Sequence, residues 1–188
     1  MLSEQNAALI ECAATIMQLE RIEDAHDALR RAAKRLNLLP NRWPKAEQVR
    51  LALLVRLSLF DPDRAARILS MRHAALEAIA FFHEFQPRAV GGIVDGSAAK
   101  GSAIQFECRC EHPERLQQRL FELKIPALQL ESLKAGTQRT RFEFTAGAFN
   151  FQLNVLAEGE RGFPVELCAD ANKLTKLIQM DQIGTSSF

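Results

Sequence analysis

Glycine is absent from the first 90 residues of this chain and then recurs through the second half. All nine glycines lie between Gly91 and Gly184. Glycine tolerates backbone angles that other residues avoid, so it weakens helices and collects in turns. The distribution therefore predicts an α+β chain. We expect a helical bundle over residues 1–86 and a turn-rich α/β domain over residues 87–188.

Prolines divide the helical half into segments, and apolar residues recur within them at helical spacing. Pro44 can occupy the first turn of a helix that runs to about Phe60. Asp61-Pro62-Asp63 is a helix start, with a capping acid followed by proline, and Gln86-Pro87 ends the helix that it opens. Near the C-terminus, Asp170 is predicted to cap a last helix.

After Pro87 the period of the apolar residues changes to two, which is typical of half-buried strands. Residues 104–110, 142–144 and 149–155 alternate in this way, and residues 113–124 are predicted to form a helix. Each strand therefore has one polar face. Together these faces form either the solvated side of a sheet or an open cleft for a ligand. The polar-face residues are Gln105, Glu107, Arg109, Arg139, Arg141, Glu143, Gln152 and Asn154.

Charge and hydropathy argue against nucleic acid and membrane as partners. The formal net charge is +1, and the basic run from Arg30 to Arg35 has no interleaved aromatic residue. No apolar run reaches the roughly 18 residues of a membrane-spanning helix, and the first residues lack the features of a signal peptide. We expect a cytoplasmic protein.

Cysteine and histidine spacing predicts no metal site. Cys108 and Cys110 form a Cys-x-Cys pair, which supplies only two of the four ligands of a structural zinc ion. The four histidines are isolated from one another along the chain. The four cysteines are therefore expected to be free thiols that pack as small apolar side chains.

The segment from Gly91 to Phe106 carries a family resemblance. It contains the turn Gly96-Ser97, followed by Ser102-Ala103-Ile104-Gln105-Phe106. With the flanking stretches 87–97 and 163–167, it resembles the nucleotidyltransferase superfamily of the DNA polymerase beta type, and a bacterial group of nucleotidyltransferase-like proteins. In that superfamily a Gly-Ser turn holds a nucleotide phosphate, and a strand of the form Ser-Asp-x-Asp binds Mg²⁺. The resemblance implies a mixed β-sheet with helices on one face.

The acids of that superfamily are missing from the matching positions. Ala103 and Gln105 stand at the first two acid positions, and Gln152 or Asn154 stands at the third. Two-metal phosphoryl transfer needs anionic oxygens, which alanine and amides do not supply. The resemblance therefore implies a degenerate site with no catalytic residues, no metal and no cofactor. The resemblance thus favours a protein that is not an enzyme, but it does not decide whether the protein has enzymatic activity.

Three functions follow from this sequence. The first is a non-catalytic binding or regulatory protein that retains nucleotide or phosphate affinity at Gly96, Ser97, Lys100, Gly101 and Ser102; the alternative for these residues is a tight structural turn. The second is an active, Mg²⁺-dependent nucleotidyltransferase with displaced acids such as Asp95, Glu107 or Glu166. The third is a module that binds a protein partner through the N-terminal helices.

Overall fold

A computed structural model describes residues 2–20, 22, 24–38, 43–134, 137–157, 159–160 and 162–185. The chain is mixed α+β, as the sequence predicts, and divides into two compact units, Met1–Arg64 and Ala65–Phe188. Each unit has a hydrophobic core of its own. In the described part of the chain, no helix combines the length and the apolar character that a membrane crossing demands.

The first unit consists of helices α1 (Leu2–Glu20), α2 (Ala25–Leu36) and α3 (Ala46–Phe60). Small residues dominate the contacts of α2, whose buried side chains are mostly alanine, so neighbouring helices approach it closely. Its start is fixed by the side chain of Asp24, which accepts hydrogen bonds from the backbone amides of His26 and Asp27. It ends at Asn37, which adopts the left-handed conformation common after helices.

The second unit begins with a long helix and continues into a sheet. The helix is α4 (Arg64–Phe81), which starts after the Asp61-Pro62-Asp63 signal and is followed by a 3₁₀ turn at His83–Phe85. The remaining elements are β1 (Arg88–Val90), α5 (Gly92–Asp95), β2 (Ile104–Arg109), α6 (Pro113–Glu122), β3 (Leu128–Lys134), β4 (Thr137–Ala146), β5 (Phe149–Leu156), β6 (Cys168–Ala169) and α7 (Ala171–Thr185). The backbone amide of Lys173 bonds to Asp170 Oδ1 at 2.8 Å, which confirms the predicted cap of α7.

The six strands form one mixed sheet in the order β3-β4-β5-β2-β1-β6. Strands β2 and β5 are parallel, and every other neighbouring pair is antiparallel. The apolar face of the central strands, which includes Phe106 and Leu153, shares one core with residues of α4, α6 and α7. The opposite face is polar along β2, β4 and β5, and it positions the candidate site.

The compact units differ from the division predicted at residue 86. Helix α4 contributes Ile68, Met71, Ala75 and Ile79 to the core of the second unit. The boundary between units accordingly falls at the start of this helix, after Arg64, and the helical signal of the first half continues across it.

Candidate functional site

The polar face of the sheet brings the predicted acid positions together. In the parallel ladder, Gln105 of β2 lies opposite Gln152 of β5, and Glu107 lies opposite Asn154. Side chains directly opposite each other on one face of a sheet are close neighbours. Gln105 and Gln152 therefore lie close together, as predicted. That these two residues stand where the superfamily has metal-binding acids stays a prediction.

The amides on this face are already committed to neighbouring groups. Gln152 donates through Nε2 to Glu143 Oε1 at 2.8 Å, and Asn154 donates through Nδ2 to the carbonyl of Phe106 at 3.1 Å. Arg141 completes this cluster through an ion pair with Glu143 at 3.0 Å. The side chains thus form a connected polar network across β2, β4 and β5.

Ala103 lies outside the ladder. Strand β2 begins at Ile104, so its ladder positions on the polar face are Gln105, Glu107 and Arg109, two residues apart. On this face, the β2 residues that lie beside β5 are consequently Gln105 and Glu107. The family resemblance had assigned the first two acid positions to Ala103 and Gln105. Glu107, predicted from the sequence to lie on the polar face and considered as a displaced acid, is the carboxylate of this strand.

Glu107 is the centre of a covered part of the polar face. Only 3% of its surface is exposed. Arg88 Nη2 donates to Oε2 at 3.3 Å, and the backbone amide of Phe163 donates to Oε1. The thiol of Cys168 lies 4.0 Å from Oε2. A buried carboxylate is tolerated only when such donors replace its lost hydration, so these contacts explain how Glu107 can be buried.

Residues 159–160 and 162–164, which we call the β5–β6 strap, lie between β5 and β6 and cover Glu107. Gly162 leaves so little room that a Cβ at this position would collide with the Glu107 carboxylate. Nearer to β5, Glu160 forms a close ion pair with Arg139 of β4. The strap is therefore tied to the polar face at two points, and it closes the β2 side of that face.

The predicted nucleotide-binding loop is folded onto itself. Asp95 Oδ1 accepts hydrogen bonds from the Ser97 amide at 2.9 Å and the Ser97 hydroxyl at 2.6 Å. The Ala99 amide donates to Ser102 Oγ at 3.1 Å, and the Ala98 amide donates to the Gly92 carbonyl at 3.0 Å. These bonds are of the kind that close tight turns. The amides of Ser97, Ala98 and Ala99 therefore already have acceptors within the segment.

The glycines of this segment allow the tight turn to form. Gly96 and Gly101 have φ angles of 82° and 80°, which disfavour any residue with a Cβ. A Cβ on Gly92 would lie 2.7 Å from the backbone nitrogen of Ala98. Lys100 is exposed at the tip of the loop. It is the cation through which an anion could still be held there.

Arg72 supports the loop, and no sequence pattern indicated this role. It is buried in α4, and it donates through Nε to the Ile93 carbonyl at 2.8 Å and through Nη2 to the Val94 carbonyl at 3.0 Å. A 2.6 Å ion pair with Asp181 of α7 balances its charge. Because helix α5 is one turn long, its carbonyls need such an external donor. The position of the loop thus depends on two distant helices.

The cysteines behave as the sequence predicts, as buried or half-buried free thiols. Burial, together with the charges of Cys110 and Glu107, raises the pKa of Cys108 to about 12. Burial and the nearby Glu107 carboxylate also raise the pKa of Cys168. High thiol pKa values disfavour the thiolate that metal binding and nucleophilic chemistry require. Within the described residues, no three His, Cys, Asp or Glu side chains cluster so as to hold a metal ion.

No protein-family model, no curated protein and no solved structure matches this chain.

Proposed function

We propose that this protein is a non-catalytic binding or regulatory protein built on a nucleotidyltransferase-like scaffold. One observation carries the proposal: the strand positions that would supply metal ligands hold Gln105 and Gln152, while the adjacent Glu107 carboxylate is buried against Arg88 and the strap. Phosphoryl transfer through two Mg²⁺ ions needs several anionic oxygens open to the metals. The single carboxylate on this strand pair is enclosed and already paired.

The displaced acids give little support to the rival enzyme. Asp95 accepts two hydrogen bonds from Ser97 inside its own turn. Glu166 is exposed in the 3₁₀ turn Val165–Leu167, beyond the strap, whereas Glu107 lies beneath the strap. A catalytic constellation requires its groups to be held together around the reacting atoms. The different settings of these three acids favour the non-catalytic function.

The nucleotide affinity proposed for the loop now depends on Lys100. The amides of Ser97, Ala98 and Ala99 already donate within the segment, so Lys100 would provide most of the attraction for a phosphate. An exposed lysine holds an anion weakly, and salt screens the interaction. We therefore expect ATP or pyrophosphate bound at this loop to be lost with Lys100→Ala and at moderate salt.

A second candidate, a protein-interaction module, is favoured by helix α3. Leu51, Val55 and Leu59 recur every four residues and are 64%, 54% and 72% exposed. Residues four apart lie on one face of a helix, so these side chains form an apolar stripe opposite the buried Val49, Leu53 and Leu57. A stripe of this kind is typical of helices that bind partners.

The deciding experiment combines transfer and binding measurements on one preparation. The wild type is incubated with Mg²⁺ or Mn²⁺ and each of four labelled nucleoside triphosphates, and incorporation into protein or added acceptors is measured. Calorimetry of Mg²⁺ binding is run in parallel. We expect neither incorporation nor saturable Mg²⁺ binding.

The controls are Glu107→Gln and, at an exposed helix position, Glu114→Gln. Incorporation that disappears with Glu107→Gln and survives Glu114→Gln would contradict the proposal and establish a nucleotidyltransferase. Circular dichroism of both variants shows whether a loss of activity reflects a loss of structure.

A further inference from the structure

A cleft of about 460 Å³ opens at one end of the sheet in the second unit. The strand register places three chain segments there. Arg88, at the start of β1, pairs with Glu107, so Arg109 at the end of β2 lies just beyond it. Ala89 pairs with Ala169, which brings the start of α7 to the same end. The lining residues are Ile79, His83, Gln86, Pro87, Arg88, Arg109, Asp170 and Ala171.

Two arginines, Arg88 and Arg109, are among the polar residues that line this cleft. The side chain of Arg109 is exposed and makes no hydrogen bond or ion pair with any residue that the structure describes. Arg88 uses Nη2 for Glu107, and a guanidinium has five N–H donors, so further donors are available for a ligand. Guanidinium groups match the oxygen spacing of phosphate and carboxylate. The wall is therefore suited to an oxyanion.

The charge of Asp170 restricts where an anion can sit. Its Oδ1 accepts the amide of Lys173 at the start of α7, and its negative charge faces the cleft from that side. An anion is consequently repelled from the α7 side and attracted to the β1 and β2 side. Arg88 and Arg109 lie on that favourable side.

Three residues that line the cleft are apolar. Ile79 and Pro87 are buried, and Ala171 lies half-buried beside them. Small-molecule sites are typically concave and mostly apolar, with a few polar groups that orient the ligand, and they fall in a size range of about 300–1,000 Å³. The cleft has a volume in this range and an apolar part made of three residues, and the two arginines would orient a ligand.

We propose that this cleft binds a small organic molecule that carries an oxyanion, either phosphate or carboxylate, on an apolar body. The oxyanion is held by Arg109 and Arg88, and the apolar body packs against Ile79 and Pro87. This inference rests on the proposed binding function and specifies its ligand class, at a site separate from the Gly96–Gly101 loop.

Calorimetry of the full chain at low salt tests the proposal with three probes: phenyl phosphate, benzoate and inorganic phosphate. We expect phenyl phosphate or benzoate to bind more tightly than inorganic phosphate, because inorganic phosphate lacks an apolar body. The better of the two organic probes identifies the oxyanion.

Arg109→Gln should weaken that binding at least about tenfold, since a charge-assisted hydrogen bond is lost. Arg109→Lys should give an intermediate loss, because it keeps the charge without the planar fork. The matched control is Arg115→Gln, an exposed arginine of α6 outside the cleft, which should leave affinity unchanged.

The proposal is overturned if the wild type binds none of the probes at millimolar concentrations, or if Arg109→Gln and Arg115→Gln have equal effects. Binding of inorganic phosphate alone, without preference for the organic probes, also overturns it. These outcomes are independent of nucleotide incorporation, so failure of the cleft proposal is distinguishable from failure of the non-catalytic function.

Discussion

At the scale of single residues, the contact between Glu107 and Gly162 determines how the polar face is covered. The Glu107 carboxylate accepts hydrogen bonds from Arg88 and from the Phe163 amide, and the strap can approach it because Gly162 has no side chain. Burying a charged group is costly without such compensation. The strap and the carboxylate therefore stabilise each other, and each depends on the small size of residue 162.

Gly162→Ala tests this dependence. The added methyl group meets the Glu107 carboxylate, and we expect the free energy of unfolding to fall by about 1–3 kcal/mol, the usual cost of overpacking. In a Glu107→Ala background the same substitution should cost much less, because the obstructing group is gone. The measurement is a double-mutant cycle from denaturant unfolding. Equal costs of Gly162→Ala in both backgrounds would contradict the proposed contact.

Cysteine reactivity gives a second prediction at this scale. The pKa of Cys108 is raised to about 12, so its thiol stays protonated throughout the range from pH 7 to 9. Cys110, two residues away, is only half-buried. In single-cysteine variants, native Cys108 should react with a thiol reagent more than about tenfold more slowly than Cys110. Unfolding should abolish the difference, and similar native rates would disprove the burial of Cys108.

At the scale of secondary structure, local sequence signals and distant contacts contribute separately. The capping residues Asp24 and Asp170 accept the backbone amides of the helices that follow them, and such short-range signals can be read from sequence. The one-turn helix α5 has no comparable local signal, because its carbonyls are satisfied by Arg72, about 21 residues earlier in the chain. This is why the sequence indicated the turn at Gly96-Ser97 but not the supported helical turn that precedes it.

The Asp24 cap yields a prediction about α2. Burial raises the pKa of Asp24, but hydrogen bonds from the amides of Asp27 and His26 outweigh this effect and the net shift is downward. The cap therefore contributes stability above the unfolded-state pKa and loses it as pH falls through the lower folded-state pKa. Asp24→Ala should lower the free energy of unfolding by about 1 kcal/mol at neutral pH.

Asp24→Asn is the matched control, because an amide oxygen can still accept the two backbone bonds. It should retain most of the stability at neutral pH and show less loss in acid. Thermal unfolding of the three proteins at neutral and acidic pH measures both effects. An Asn variant as unstable as the Ala variant would show that the cap is not the source of the stability.

At the scale of the whole molecule, the sequence predicted where helices and strands lie along the chain better than it predicted which of them are neighbours in the fold. Alternation of apolar residues located β2, β4 and β5, because a strand buries every second side chain. The same pattern does not reveal which strands are neighbours, and the order β3-β4-β5-β2-β1-β6 places β5 beside β2 across a long sequence separation. The family resemblance likewise assigned acid positions to Ala103 and Gln105, whereas the residues that β2 places on this face in the ladder with β5 are Gln105, Glu107 and Arg109.

The division into units illustrates the same limit and supplies the last prediction. The glycine distribution marks a change in secondary structure near residue 87, whereas a compact unit is defined by the residues that share a core. Helix α4 places Ile68, Met71, Ala75 and Ile79 in the core of the second unit.

A fragment of residues 61–188 should therefore unfold cooperatively on its own, with near-native helical content for its elements. A fragment of residues 87–188 should not, because removing several buried apolar side chains costs more than the usual stability of a domain. Circular dichroism and denaturant unfolding of both fragments decide between the two boundaries. A cooperative transition in the shorter fragment would show that α4 is dispensable for this core and would return the boundary to residue 86.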